Sequence, residues 1–519
     1  MSTPLTRRTA LRSAAVAAGV GAAGVAASCT GSTSDAGTGS RRPASSAGRD
    51  DDSPPRHEVT PGAADRADAF DPGADGDDAT AMLTAARALL EAASAVVVTS
   101  GDPGDLPGGT ALATRLGLPL LASGPDLAGE LDRLRTRTVI RWPGAVETAA
   151  FGDRQVVDGS DSGALADLPG LPLRPHDHRA TVLVLSGATV PASLDATLAA
   201  VGATRVTVGG SDPRTAVDAL TAVREAADTA VLAVGPGFGP AARFAQRVRT
   251  ARHARELPGG GLLPFPGRRM VALYGHPQTS ALGMLGEQSA ARSVARVTAV
   301  AAQYATLTKT PVVPAFELIA TVASGSRQKD GSYSRRTPAR ILLPWVQAAE
   351  RGGAYVVLDL QPGRDDFLTQ AKAYEELLRR PWVGLALDPE WRLQPGQKPL
   401  RQIGSVGVDE VNRVGAWLAE LVRRHDLPPK VLTLHQFRPS MVRGRERLDT
   451  SLDEVQWLVH ADGQGGQNAK QGTWAALRRD LPEGVWLGWK NFEDEDTPML
   501  TPAQTMAQVQ PTPWFVSYQ

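Results

Sequence analysis

The sequence predicts an α/β protein with two folded parts: an N-terminal parallel-sheet α/β region over 80–265 and a C-terminal (β/α)8, TIM-like barrel over 266–519. Three observations predict it. Short apolar runs alternate with Ala-rich helical stretches in the first part. Eight strand-like runs recur in the second, with amphipathic segments between most of them. Polar residues in those runs gather at their C-terminal ends. Strands that are apolar throughout and alternate with helices belong to parallel sheets covered on both faces.

In the first part, 81–93 and 109–116 have helical spacing, and 95–99, 119–122, 139–141, 181–185, 205–208 and 230–234 are strand-like. Gly235-Pro236-Gly237-Phe238-Gly239 follows the last of these strands but lacks GxGxxG spacing, so it does not predict a dinucleotide site. In the second part the strands are 270–274, 311–316, 355–360, 382–387, 430–434, 455–459, 485–489 and 514–518. Helices are expected at 291–304, 341–351, 367–378, 408–425 and 468–479, with a short one at 502–509. Eight such units in about 250 residues match a (β/α)8 barrel. The chain stops with the eighth strand, so another element must cover that seam.

Alternation assigns the faces, because neighbouring side chains on a strand point opposite ways. In the fourth strand Val383, Leu385 and Leu387 share one parity, and Gly384, Ala386, Asp388 and Glu390 the other. The third strand sets Tyr355, Val357, Asp359 and Gln361 against Val356, Leu358 and Leu360. The sixth puts Gln456, Leu458, His460 and Asp462 together. The small and polar parity is expected to face the bore, with its polar members at the C-terminal rim where barrel sites form. Candidate binding residues are therefore Tyr274, His276, Glu317, Gln361, Trp391, His435, His460, Asp462, Trp489, Lys490 and Glu493. Glu390, Asp388 and Asp359 are the catalytic candidates, since glycoside hydrolysis needs one protonated and one charged carboxyl, and crowded carboxyls separate in pKa. Asp388-Pro389 also reads as a turn, and strand-end tryptophans as core.

Two polar loops belong to the same end. Residues 324–336 carry four basic side chains and a tyrosine that could meet an anionic glycan, and 462–468 are Gly-rich. Metal-binding cysteine motifs are impossible with one cysteine, and the HxH pair of metal-dependent hydrolase barrels is missing, so no metal and no cofactor are expected. Lys+Arg and Asp+Glu balance at 55 each, which argues against a nucleic-acid partner.

Upstream, Arg7 and Arg8 precede an uncharged stretch of Ala, Val, Gly and Ser over 13–28, with Ala26-Ala27-Ser28-Cys29 at its end. A basic start, an apolar stretch and small residues form an export signal. The stretch falls short of the roughly 20 strongly apolar residues of a membrane span. Residues 30–78 are rich in Ser, Gly, Asp, Ala and Pro and are expected to be a disordered tether.

Several segments resemble known families. The paired arginines resemble the twin-arginine (Tat) signature, and 26–29 a bacterial lipobox. That resemblance implies a Tat-exported lipoprotein, lipidated at Cys29 and held on the extracytoplasmic face of the cell membrane. Residues 96–102, 111–113, 118–121 and 198–210 resemble the clostridial-type cell-wall-binding repeat 2, which implies attachment to wall polymers. Residues 384–391 are similar to the fourth-strand motif of family-18 chitinases. That likeness implies Glu390 as general acid and Asp388 as the residue orienting the substrate, although Val383 and Ala386 stand where the motif has further aspartates.

The expected function is a lipid-anchored envelope protein whose barrel acts on, or binds, wall polysaccharide. A non-catalytic wall-binding lipoprotein and an envelope scaffold are the alternatives.

Overall fold

The computed structural model describes residues 56–74, 76–145 and 149–519. The expected leader, Cys29 and the tether up to residue 55 lie outside the described residues.

The N-terminal part holds two four-stranded parallel sheets. One is ordered Leu120–Ala122, Ala95–Thr99, Thr138–Arg141, Gln155–Asp158; the other Ala67–Phe70, Ala230–Val234, Ala180–Leu185, Ala203–Val208. Alternation within Ala230–Val234 shows how the layers stack. Ala230, Leu232 and Val234 join the core shared with the first sheet, while Val231 and Ala233 pack with Phe244 and Val248 on the far side. All six predicted strands are present, within a residue or two at their ends.

Two expectations need correction. The tether was expected to reach residue 78, but Val59–Pro61 and Ala67–Phe70 are strands, anchored by buried Val59 and Phe70. Two well-placed apolar side chains and shared ladder hydrogen bonds order a segment whose composition argues for disorder. The helix predicted over 81–93 instead spans Asp78–Leu89, capped by the Asp77 side chain. Residues Leu90–Ala93 then turn into a strand antiparallel to Val59–Pro61. Helical propensity in Leu-Glu-Ala-Ala lost to that pairing.

The C-terminal part is a closed barrel of eight parallel strands: β1 (Arg269–Gly275), β2 (Val312–Ala323), β3 (Tyr355–Leu360), β4 (Val383–Leu387), β5 (Lys430–Gln436), β6 (Val455–Ala461), β7 (Trp486–Asn491) and β8 (Phe515–Tyr518). Each strand pairs with its sequence neighbour, and β1 pairs with both β2 and β8 to close the ring. Helices Ala290–Ala305, Ala339–Arg351, Val408–Arg424 and Gln467–Leu477 cover the outside, with two short ones, Phe367–Lys372 and Glu375–Leu378, after β3. Among the described residues the β5–β6 connection holds 3-10 turns and a two-residue strand, Val442–Arg443, but no α-helix. Helix Ala290–Ala305 packs beside β8, where the Tyr304 and Tyr518 hydroxyls meet at 2.6 Å.

The two parts meet at the end of the barrel opposite its C-terminal rim. Asp453, just before β6, accepts hydrogen bonds from Arg243 at 2.6 and 2.8 Å and from Arg247 at 2.8 and 3.1 Å, while Arg214 donates to its carbonyl at 3.0 Å. Arg255 lies over Trp382, just before β4, at 5.2 Å. Phe265 plugs this end: it packs on Trp486 and Trp514 and exchanges two 2.7 Å hydrogen bonds with the Gln456 side chain. Docking therefore leaves the C-terminal rim uncovered.

Candidate active site

The in-register pairs Tyr274↔Glu317 and His435↔His460 set four inward side chains at one level of the bore, near its C-terminal end. Glycines make room for side chains in the bore. A Cβ on Gly488 would lie 2.8 Å from His460, and one on Gly384 2.9 Å from the Tyr355 hydroxyl.

From these positions a continuous polar network forms. Gln361 donates to the Tyr274 hydroxyl at 3.4 Å, which donates to Asp359 Oδ2 at 2.7 Å. His435 lies between acids: its Nε2 is 2.8 Å from Glu317 Oε1 and 4.0 Å from Asp359 Oδ1, and its Nδ1 is 3.2 Å from Asp462 Oδ2. Lys490 stands 3.2 Å from Asp462 Oδ1 and 3.4 Å above the Tyr274 ring. His460 Nδ1 is 3.8 Å from Glu317, and its Nε2 meets Ser517 Oγ at 3.2 Å.

Burial and charge compete here. Burial alone would raise the Glu317 carboxyl, but the His435 charge and hydrogen bond, together with Lys490, hold it down to about 2. Burial opposes charge on His435 as well, yet Glu317, Asp462 and Asp359 raise it well above an ordinary histidine. For His460 burial wins, and its pKa falls to about 3, leaving it neutral. An acid–imidazolium core and a neutral histidine thus sit side by side, as expected when charges are buried only with partners.

Above this network lies a cavity of about 320 Å³, with Tyr274, Gln361 and Ile319 at its base and Trp391 on its wall. Glu287, Glu493, Asp494 and Glu495 also line it. Burial, together with Glu287 and Asp494, raises the Glu493 carboxyl against the opposing charge of Arg296. The segment from Ser280 to Glu287 reaches over Tyr274 because Gly283 adopts φ 117°; a Cβ there would lie 2.7 Å from the Tyr274 carbonyl.

Of the candidates named from sequence, Tyr274, Glu317, Asp359, Gln361, His435, His460, Asp462 and Lys490 come together in one network, and Trp391 and Glu493 line the cavity above it. His276 does not join them through any of these contacts. Its Nε2 bonds Thr337 at 2.9 Å, its Nδ1 accepts from the Gln278 amide at 3.2 Å, and burial lowers its pKa to about 4. Trp489 is 1% exposed and packs edge-on against Trp474 of the outer helix layer, so it presents no face to a sugar. Asp388 is fully buried at the end of β4, and Glu390 is half-buried in the 3-10 turn Pro389–Trp391 that follows. Asp388-Pro389 does therefore begin a turn. In the basic loop, Ser334–Arg336 pairs back antiparallel on β2, with Arg364 stacked over Tyr333 at 4.7 Å.

Sequence reasoning missed Ser517, which the alternation rule applied to β8 would have found. It also missed Glu287, Asp494 and Glu495, which lie outside the strands where no periodic signal exists.

A closed parallel (β/α)8-type barrel with a charged network under a C-terminal cavity defines this chain as a TIM-like barrel protein. No protein-family model matches the chain, and no curated protein matches it in sequence.

Proposed function

We propose that the barrel hydrolyses a glycosidic bond in cell-envelope polysaccharide. The observation that supports this reading best is the cavity itself. It combines an aromatic wall (Trp391), a phenolic base (Tyr274) bonded to a carboxylate, and a carboxyl, Glu493, whose proton is held more tightly than usual. Hydrolysis proceeds through an oxocarbenium-like sugar and needs an acid for the leaving oxygen. Glu493 is the acid in this reading. Asp359, by accepting the Tyr274 hydrogen bond, increases negative charge on the phenolic oxygen that faces the sugar. Glu390 and Asp388, the pair drawn from sequence, follow β4 at the same end of the barrel, and Glu390 is tested beside Glu493.

The chain would reach its substrate as a lipoprotein. The Arg7-Arg8 pair and the lipobox-like Ala26-Ala27-Ser28-Cys29 support export, lipidation at Cys29 and, with them, a position for the barrel on the extracytoplasmic face of the membrane. The wall-binding-repeat-like segments of the N-terminal part support a second hold on a wall polymer. Sugar release from purified wall fractions, compared among wild type, Glu493→Gln, Glu390→Gln and Asp359→Asn, tests the chemistry. Co-sedimentation with wall and no release would leave a binding protein instead.

A further inference from the structure

We propose that Glu317, His435 and His460 form a binding site for one divalent transition-metal cation inside the barrel. One ligand atom from each of the three lies within 4.8 Å of the others, and all three residues are fully buried.

Three features argue for a metal site as well as a structural polar core. First, each imidazole has a polar group beside its far nitrogen and its near nitrogen turned toward Glu317. Asp462 lies 3.2 Å from His435 Nδ1, and Ser517 lies 3.2 Å from His460 Nε2. Metal-ligating histidines are held in this way, by a partner that fixes the tautomer and the ring plane. Second, the near atoms are spaced suitably. Tetrahedral ligands about 2.0–2.1 Å from a zinc ion stand about 3.3 Å apart. The separations from Glu317 Oε1 are 2.8 Å to His435 Nε2 and 3.8 Å to His460 Nδ1, on either side of that value. Third, Glu317 Oε2 and His460 Nδ1 are buried and have no hydrogen-bond partner among the described residues. Asp359, with Oδ1 4.0 Å from His435 Nε2 and Oδ2 fixed by Tyr274, is a further carboxylate beside the site.

Nitrogen and carboxylate ligands without thiolate suit zinc, cobalt and related ions. The ligands come from three strands, β2, β5 and β6, so no short sequence spacing announces them.

The test is metal binding, scored without any sugar, so that its failure and failure of the glycan reading stay distinct. Full-length protein is stripped with chelator and titrated with Co²⁺, then Zn²⁺, following the visible cobalt spectrum and bound metal by mass spectrometry. One equivalent should bind with an intense tetrahedral-type band that zinc displaces. Glu317→Gln should lose at least ten-fold in affinity. Ser517→Ala, which removes the hydroxyl at His460 Nε2 but no metal donor, should lose several-fold, with an unchanged circular dichroism spectrum showing that it folds. Substoichiometric cobalt without a band, or equal affinity in wild type and both variants, overturns the proposal.

Discussion

The Glu317 carboxylate and the His435 imidazole meet at 2.8 Å in a bore where neither has exposed surface. They come from β2 and β5, far apart around the ring, and their contact spans the bore. Removing one member of such a pair leaves a buried charge without its partner, at a cost of about 3–5 kcal/mol. Glu317→Leu is therefore expected to lower the unfolding free energy by that order in a urea titration, whereas Glu317→Gln, still able to accept from His435, should lose less. Equal stability of Glu317→Leu and wild type would refute this.

Gly283 controls the base of the cavity. Its φ of 117° strains any L residue, and a Cβ would press on the Tyr274 carbonyl. Gly283→Ala should destabilise by about 1–3 kcal/mol and displace the 280–287 segment from Tyr274. Protease cutting within that segment, compared with wild type, reports the second effect.

Lys430 is fully buried at the start of β5, where its ammonium donates to the carbonyls of Arg380 and Val383 at 2.8 Å each. Burial lowers its pKa from 10.5 to about 7. Between those values the unfolded chain holds a proton that the folded chain has shed, so this group makes stability rise with pH from about 7 upward, by at most about 1.4 kcal/mol per pH unit. Below pH 7 both states are protonated and the burial penalty is constant. Lys430→Met should flatten the stability profile between pH 7 and 10; an unchanged slope would exclude the residue as its source.

Asp453 joins the two parts of the molecule. Burial alone would raise its carboxyl, but hydrogen bonds from Arg243 and Arg247 and the charges of Arg214 and Arg247 hold it well below the carboxylate range. Asp453→Asn should weaken docking by about 2 kcal/mol, allowing for the partly exposed arginines. Calorimetry would then separate the melting of the N-terminal part from that of the barrel. A single, unshifted transition would count against the clamp.

Much of this architecture is legible in the sequence, for a definite reason. Every barrel strand is an apolar run whose outward parity packs on helices, so Val356, Leu358 and Leu360 mark β3 unaided, and Asp359 falls on the inner parity automatically. The rule also gathers Glu317, His435, His460 and Asp462 before any contact is known. It fails where long-range pairing decides the outcome. Leu90–Ala93 carries a helical signal yet becomes a strand, and Val59 and Phe70 order a segment that composition alone would leave loose. It fails again in the 280–287 segment and around 493–495, where backbone geometry at Gly283 and the course of the chain after β7 bring acids to the cavity. Trp489 shows the opposite error: its place at a strand end suggested a sugar platform, but its parity turns it outward onto Trp474.

The most direct measurement is reducing-sugar release from purified cell-wall polysaccharide by wild type, Glu493→Gln and Tyr274→Phe at matched folded concentration. Release by wild type that falls at least a hundred-fold in Glu493→Gln and markedly in Tyr274→Phe is the predicted result. Equal rates in all three proteins, or no release by any of them, would contradict a hydrolytic site in this cavity.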